Sequence, residues 1–154
     1  MSKPRVLFVC IGNSARSQMA EGWLRHLAGD RFEALSAGTH PHPVHPLTVE
    51  IMKEAGVDLS AARSKSVESV PGPFDYVVTT CAEADADCPT LRGDRHTHRW
   101  HVPDPVGRAA QTMDIDVQKG IFRRARETVK KRVQEFLAHP DGKPKPEPKH
   151  AKKR

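Results

Sequence analysis

The stretch that decides the fold is residues 6–17, Val6-Leu7-Phe8-Val9-Cys10-Ile11-Gly12-Asn13-Ser14-Ala15-Arg16-Ser17. Four apolar residues run straight into a cysteine, and five residues separate that cysteine from Arg16. So short an apolar run, bounded by turn residues, reads as a buried strand of a parallel sheet. From Ser17 the pattern turns helical, with Met19, Ala20, Trp23, Leu24 and Leu27 on one face. The segment between is a strand-to-helix turn, a geometry that binds anions. Successive backbone N–H groups point inward, the helix N-terminus carries partial positive charge, and Gly12 lets the loop curl. The expected oxyanion-binding set is therefore Ile11, Gly12, Asn13, Ser14, Ala15, Arg16 and Ser17. Arg16 adds a two-pronged contact to a tetrahedral oxyanion. The same field favours the thiolate form of Cys10, which makes it a nucleophile. The plainer alternative is a buried structural cysteine beside a surface arginine.

The rest of the chain alternates in the same way. A second strand is expected over 32–37, ending at Gly38, then a Pro-stiffened loop containing His40, His42 and His45. The spacing of those histidines fits no common closed zinc site and no cysteine accompanies them, so they read as a rigid loop near the site mouth, and no metal is assigned. A second helix starts at Pro46 or Leu47 and stops at Ala55-Gly56. A further helical turn is expected between Val57 and Ser66, and residues 67–73 read as loop. A third buried strand, 74–80, runs into Cys81 as the first runs into Cys10. In an open parallel sheet both cysteines sit in the crevice at the carboxyl ends of the strands. A fourth strand is expected over 96–102, followed by Asp104-Pro105 at a strand's carboxyl end. From Asp114 to about Ala138, apolar residues recur every four positions at Ile121, Ala125, Val129, Val133 and Leu137, which marks a long helix across the sheet. The fold class is α/β.

A chain of 154 residues suits one domain, expected over 1–138. Residues 139–154 alternate Pro with charge, carry +4 of the formal net charge of +6, and read as a solvated tail. The remaining charge is too small to argue for nucleic acid as a partner. No apolar run approaches a membrane span, and residues 1–10 do not resemble a signal peptide. Three cysteines are too few, and odd in number, for a secreted disulfide framework; in a reducing compartment they point to redox or nucleophilic chemistry. A cytoplasmic protein, monomeric and without membrane contact, is expected.

Residues 10–17 resemble the phosphate loop of the low-molecular-weight protein tyrosine phosphatases. With Ser17-Gln18-Met19-Ala20-Glu21 added, the stretch looks most like their relatives, the thioredoxin-coupled arsenate reductases, and the resemblance extends to about residue 138. It implies a three-layer, open, twisted four-stranded parallel sheet of order 2-1-3-4 with helices on both faces. Asp104-Pro105 resembles the family's general-acid loop, although an Asp before Pro, taken by itself, reads first as a helix cap or turn. The segment from Thr80 to Pro89, with Cys81 and Cys88, resembles the reductases' redox loop; Val106 stands where the phosphatases typically have a tyrosine. Both features favour the reductase. The implied mechanism passes oxidation from Cys10 through Cys81 to a Cys81–Cys88 disulfide that thioredoxin or a similar dithiol reduces, so that the dithiol's electrons end on arsenic. Arsenate is the substrate, phosphate or sulfate are competing oxyanions, and no cofactor is needed. If residues 82–88 form a helix, a Cys81–Cys88 disulfide requires it to unwind. Seven positions of helix rise ~10 Å, against Cα separations of roughly 4.4–6.8 Å in disulfides.

Two departures from the family pattern matter. Many members carry a second cysteine where this chain has Ala15. Asn13, Glu21 and Ser36 match positions that surround a structural potassium ion in some of these reductases, but those members have an aspartate where this chain has Lys65. The Lys65 ammonium is the expected substitute for that cation. Two rivals remain: a tyrosine phosphatase, which needs only Cys10, Arg16 and Asp104, and a non-catalytic oxyanion-binding protein.

Overall fold

A computed structural model describes residues 2–81 and 91–142 of the chain. Expectations for residues 82–90, including Cys88, and for 143–154 lie outside the described residues.

Strand β1 (Arg5–Cys10) is the sheet's centre. It is flanked by β2 (Glu33–Gly38) and β3 (Tyr76–Thr79), and β4 (His96–Arg99) lies beyond β3. All pairs are parallel and the order is β2-β1-β3-β4. The third and fourth strands are shorter than expected. After Thr79 the chain leaves the ladder, although Trp100 still bonds back through its N–H to Thr79 O at 2.7 Å.

The alternation of β1 sorts the core into two faces. Val6 and Phe8 join Tyr76, Val78 and Trp100 under the α-helices of the described residues, α1 (Arg16–Ala28), α2 (Pro46–Glu54), α3 (Pro105–Ala109) and α4 (Ile115–Ala138). Leu7 and Val9 face the other way, with Ala37 and Val77. Among the described residues that second face is covered by Val67, Val70 and Phe74 and a short 3-10 helix (Val67–Ser69), so coverage of the two faces is uneven.

Asp114 caps α4 by accepting from Asp116 N at 3.0 Å, and Phe122, Val129, Val133 and Phe136 form its buried stripe. The helical turn expected between Val57 and Ser66 is a single one, closed by Ala62 N donating to Leu59 O at 3.0 Å. It goes no further because Ser64 and Lys65 hold the loop after β1 and Val57 and Leu59 enter the core. Residues 67–73, expected as loop, hold a further turn at Val67–Ser69, where the Ser66 hydroxyl accepts from Glu68 N. Helix α3 has no counterpart in the sequence pattern; Asp104 and Pro105 start it as cap and first residue.

Contacts also pass the expected boundary at residue 138. Tyr76 donates its hydroxyl to Asp141 Oδ1 at 2.9 Å, and Arg95 pairs with Asp141 Oδ2 at 3.2 Å. His98 Nε2 donates to Pro140 O at 2.7 Å. These contacts strap the end of α4 to β3 and β4. Burial, with the Asp141 carboxylate beside it, pushes the Tyr76 phenol up to about 12.

Candidate active site

The carbonyl ends of β1, β2 and β3 open onto one crevice, and the chain after Cys10 curls across it. Its carbonyl oxygens point outward and are all occupied. Ile11 O accepts from His40 N (2.8 Å) and Gly12 O from His42 N (2.9 Å) and Ser64 Oγ (3.1 Å). Ser14 O accepts from His45 N (3.0 Å) and Thr48 Oγ1 (2.9 Å). A trans peptide points its N–H opposite to its C=O, so the following N–H groups face the loop interior. Asn13 N demonstrates the geometry by donating to Cys10 Sγ at 3.1 Å. The N–H groups of Gly12, Ser14 and Ala15 bond to no described residue, and they form the inward-facing nest that an oxyanion requires.

Asn13 makes the curl possible. Its φ is 51°, in the left-handed region, and it is fully buried. The direction of its side chain follows from its partners. Lys65 N, which can only donate, meets Asn13 Oδ1 at 2.9 Å. Nδ2 therefore faces Ser17 Oγ, 2.8 Å away, and donates to it. That leaves the Ser17 hydroxyl hydrogen for Cys10 Sγ, 2.9 Å away. Two donors thus converge on one sulfur. Hydrogen bonds of this kind are stronger when their acceptor is charged.

Arg16 is the first residue of α1 and is buried. Its Nη1 donates to Val102 O at 3.1 Å and reaches Thr80 O at 3.5 Å. The guanidinium thereby ties the loop to the segments leaving β3 and β4. The second of these leads two residues on to Asp104. There Oδ1 accepts from Val106 N at 3.0 Å, so Asp104 does cap a helix, as its sequence context allowed. A Cβ at Gly107 would come within 3.2 Å of Oδ2, so this glycine keeps the side of the carboxyl clear. Cys81 is buried just past β3 and is disulfide-bonded, whereas Cys10 is free. Cys88 lies outside the described residues.

The four residues matched to a cation site do gather. Glu21 Oε1 accepts from Ser36 Oγ at 2.6 Å and lies 4.0 Å from Lys65 Nζ. Glu21 Oε2 pairs with Arg25 Nη2 at 2.6 Å. Asn13 joins the group through the Lys65 backbone, and the Lys65 ammonium also donates to Arg63 O at 2.8 Å. Among the described residues no three His, Cys, Asp or Glu side chains converge as a metal site would need. His45 instead caps α2, its Nδ1 accepting from Leu47 N at 3.0 Å; burial holds its pKa below the usual histidine value.

Sequence reasoning missed four supports of the loop. Gly38 is required by close approach: a Cβ there would stand 2.5 Å from Ile11 O. Ser64 and Thr48 hold loop carbonyls, and Gln18 bonds both Asn13 and Arg63. Only Gln18 left a trace, as a polar residue beside the apolar stripe of α1.

This fold and loop match known proteins over most of the chain. Residues 5–145 match the family model described as low molecular weight phosphotyrosine protein phosphatase, and the chain belongs to that family. It is 38% identical over 137 residues to arsenate reductase 1 of Staphylococcus haemolyticus, covering 88% of this chain and 96% of that one. Among solved structures it is similar to an arsenate reductase from Archaeoglobus fulgidus, with TM-score 0.69 and 30% identity over 87% of this chain and 99% of the other. It is also similar to a thioredoxin-dependent arsenate reductase from Corynebacterium glutamicum, with TM-score 0.65 and 30% identity over 88% of this chain and 61% of that one. Among the described residues no helix is long and apolar enough to cross a membrane.

Proposed function

We propose that this protein is a thioredoxin-dependent arsenate reductase. One observation carries the reading. At the carboxyl ends of neighbouring strands, Cys10 is free inside an N–H-lined loop while Cys81 is disulfide-bonded. A phosphatase needs the first feature and has no use for the second. The similarity to arsenate reductases over 88% of the chain supports the same choice.

In this reading arsenate enters the loop of residues 11–17, held by N–H groups and by Arg16. The Cys10 thiolate attacks arsenic and Asp104 gives its proton to the departing oxygen. The Cys81 thiolate then attacks the Cys10 sulfur. A Cys10–Cys81 disulfide forms, the sulfur–arsenic electron pair stays on arsenic, and arsenite leaves with arsenic reduced from the +5 to the +3 state. Cys88 attacks the Cys81 sulfur, releases Cys10 as thiolate and leaves a Cys81–Cys88 disulfide, which an external dithiol reduces. A free Cys10 beside a disulfide-bonded Cys81 corresponds to the end of that sequence. Phosphate and sulfate, being tetrahedral oxyanions, compete with arsenate. The setting proposed with it is a cytoplasmic monomer recycled by thioredoxin.

The deciding experiment measures arsenate-dependent NADPH oxidation with thioredoxin and thioredoxin reductase, alongside hydrolysis of an aryl phosphate. Sustained oxidation on adding arsenate supports the reductase. Aryl phosphate hydrolysis with no arsenate turnover would reassign the chain as a phosphatase, and neither activity would leave an oxyanion-binding protein.

A further inference from the structure

Gln18 is 1% exposed, on the first turn and a half of α1, and spends its amide outside its own helix. Its Nε2 lies 3.0 Å from Asn13 Oδ1, 3.2 Å from Asn13 O and 2.9 Å from Arg63 O. Both backbone carbonyls can only accept, so the atom facing them is the NH2 group and its two hydrogens are shared among three acceptors. The Arg63 carbonyl opens a short run that buttresses the loop, since Ser64 Oγ donates to Gly12 O and Lys65 N donates to Asn13 Oδ1. One side chain therefore joins α1, the loop and the 63–65 segment at the residue whose backbone is left-handed.

We propose that Gln18 is a positioning residue that holds Asn13 in its left-handed conformation and so keeps two hydrogen bonds on the Cys10 sulfur. A non-glycine residue stays at positive φ only where its surroundings over-determine it. If Asn13 relaxes, its N–H leaves Cys10 and its Nδ2 leaves Ser17, and the Ser17 hydroxyl is no longer directed at the sulfur. Both donors are lost through one event. The proposal rests on Cys10 being the nucleophile, not on arsenate being its substrate.

The test measures the rate of Cys10 alkylation by iodoacetamide against pH in the fully reduced chain, with the Cys10 peptide followed by mass spectrometry. No arsenate or thioredoxin is present, so a failure of the arsenate reading would appear in the NADPH assay and not here. Gln18→Met keeps length and removes both donors. It should move the midpoint of the alkylation profile upward, with about a tenfold fall in rate below the midpoint for each unit moved. Gln18→Glu keeps the shape but turns a carboxyl toward three acceptor oxygens, so only its protonated form can donate. Its profile should approach the native one in acid and depart from it as the carboxyl ionises. A folded Gln18→Met protein with an unmoved midpoint would overturn the proposal. If that variant does not fold, Gln18→Glu decides: a profile parallel to the native one at all pH values would overturn it equally.

Discussion

Cys10 ends β1 and Cys81 lies just past the end of the neighbouring parallel β3, both buried, yet the fold treats them differently. After Cys10 the chain curls, points its N–H groups inward and starts a 13-residue helix, so the sulfur sits among donors. Before Cys81, Thr80 uses both N–H and hydroxyl to clamp onto Val9 O, at 2.8 and 3.1 Å, which holds this strand end against β1. A strand end delivers each sulfur to the crevice, and after Cys10 the turn into α1 is what surrounds the sulfur with donors.

The comparison breaks most sharply if the two sulfurs prove interchangeable. Cys10→Ser should reduce both arsenate turnover and aryl phosphate hydrolysis to background, because a hydroxyl does not ionise there at neutral pH. Cys81→Ser and Cys88→Ser should each abolish multiple-turnover arsenate reduction while aryl phosphate hydrolysis stays largely intact. Continued arsenate turnover with thioredoxin in either single variant would remove the relay.

A smaller change sharpens the contrast by altering the loop and leaving both sulfurs in place. Gly38→Ala would put a methyl 2.5 Å from Ile11 O and 3.0 Å from Asn13 N, both backbone atoms. The loop must shift, at a cost of about 1–3 kcal/mol. Phosphate, used as competitor, should bind more weakly, and both activities should fall together. Unchanged phosphate inhibition would mean that the loop tolerates the methyl and that Gly38 serves only the strand.

Much of this was legible in the sequence because it rests on local pattern. The apolar run into Cys10, the stripe on α1 and the four-residue recurrence of α4 each report burial directly. The strand order came from family resemblance, since nothing in a strand's own residues names its neighbour. The segment 57–66 was legible only as a turn, which it makes at Leu59–Ala62; its pattern did not show that Ser64 and Lys65 bond to a loop 52 residues earlier. Gly38 read as a strand end for the same reason: the carbonyl it must avoid belongs to a distant part of the chain. Long-range partners of short polar segments leave no periodic trace.

The Glu21 cluster offers a milder test of what supports the Cys10 side. Ser36, Arg25 and Lys65 already surround its carboxylate with a hydroxyl and two cationic groups. Arsenate turnover in sodium and potassium buffers of equal ionic strength should therefore agree. A marked preference for potassium would show that the Lys65 ammonium does not substitute for the ion.

The smallest expected effect separates the loop from the strap that closes the far end of α4. His45 lies beside the loop and His98 under the strap, and burial lowers the pKa of both below 6.5. For His98 the Pro140 carbonyl and Asp141 oppose this, while His96, in ring contact, adds to it. In the unfolded chain each imidazole takes up its proton near pH 6.5, whereas in the folded protein it resists until lower pH. The unfolded state then binds more protons, and stability, fully present above that pH, falls as the pH drops toward the folded values. Protonation at His45 has a further consequence, since its Nδ1 must stay unprotonated to accept from Leu47 N and cap α2. At His98 the bond to Pro140 O uses a donor and survives protonation. Acidification from pH 7.5 to 5.5 should lower the melting temperature, by about 2–4 °C for each kcal/mol lost. His45→Asn, which keeps a side-chain acceptor for the cap, should remove part of that drop, and His98→Gln, which keeps the donor, should remove another part. A melting temperature equally pH-dependent in both variants and the native chain would assign the acid response to other groups and leave loop and strap indistinguishable by this measure.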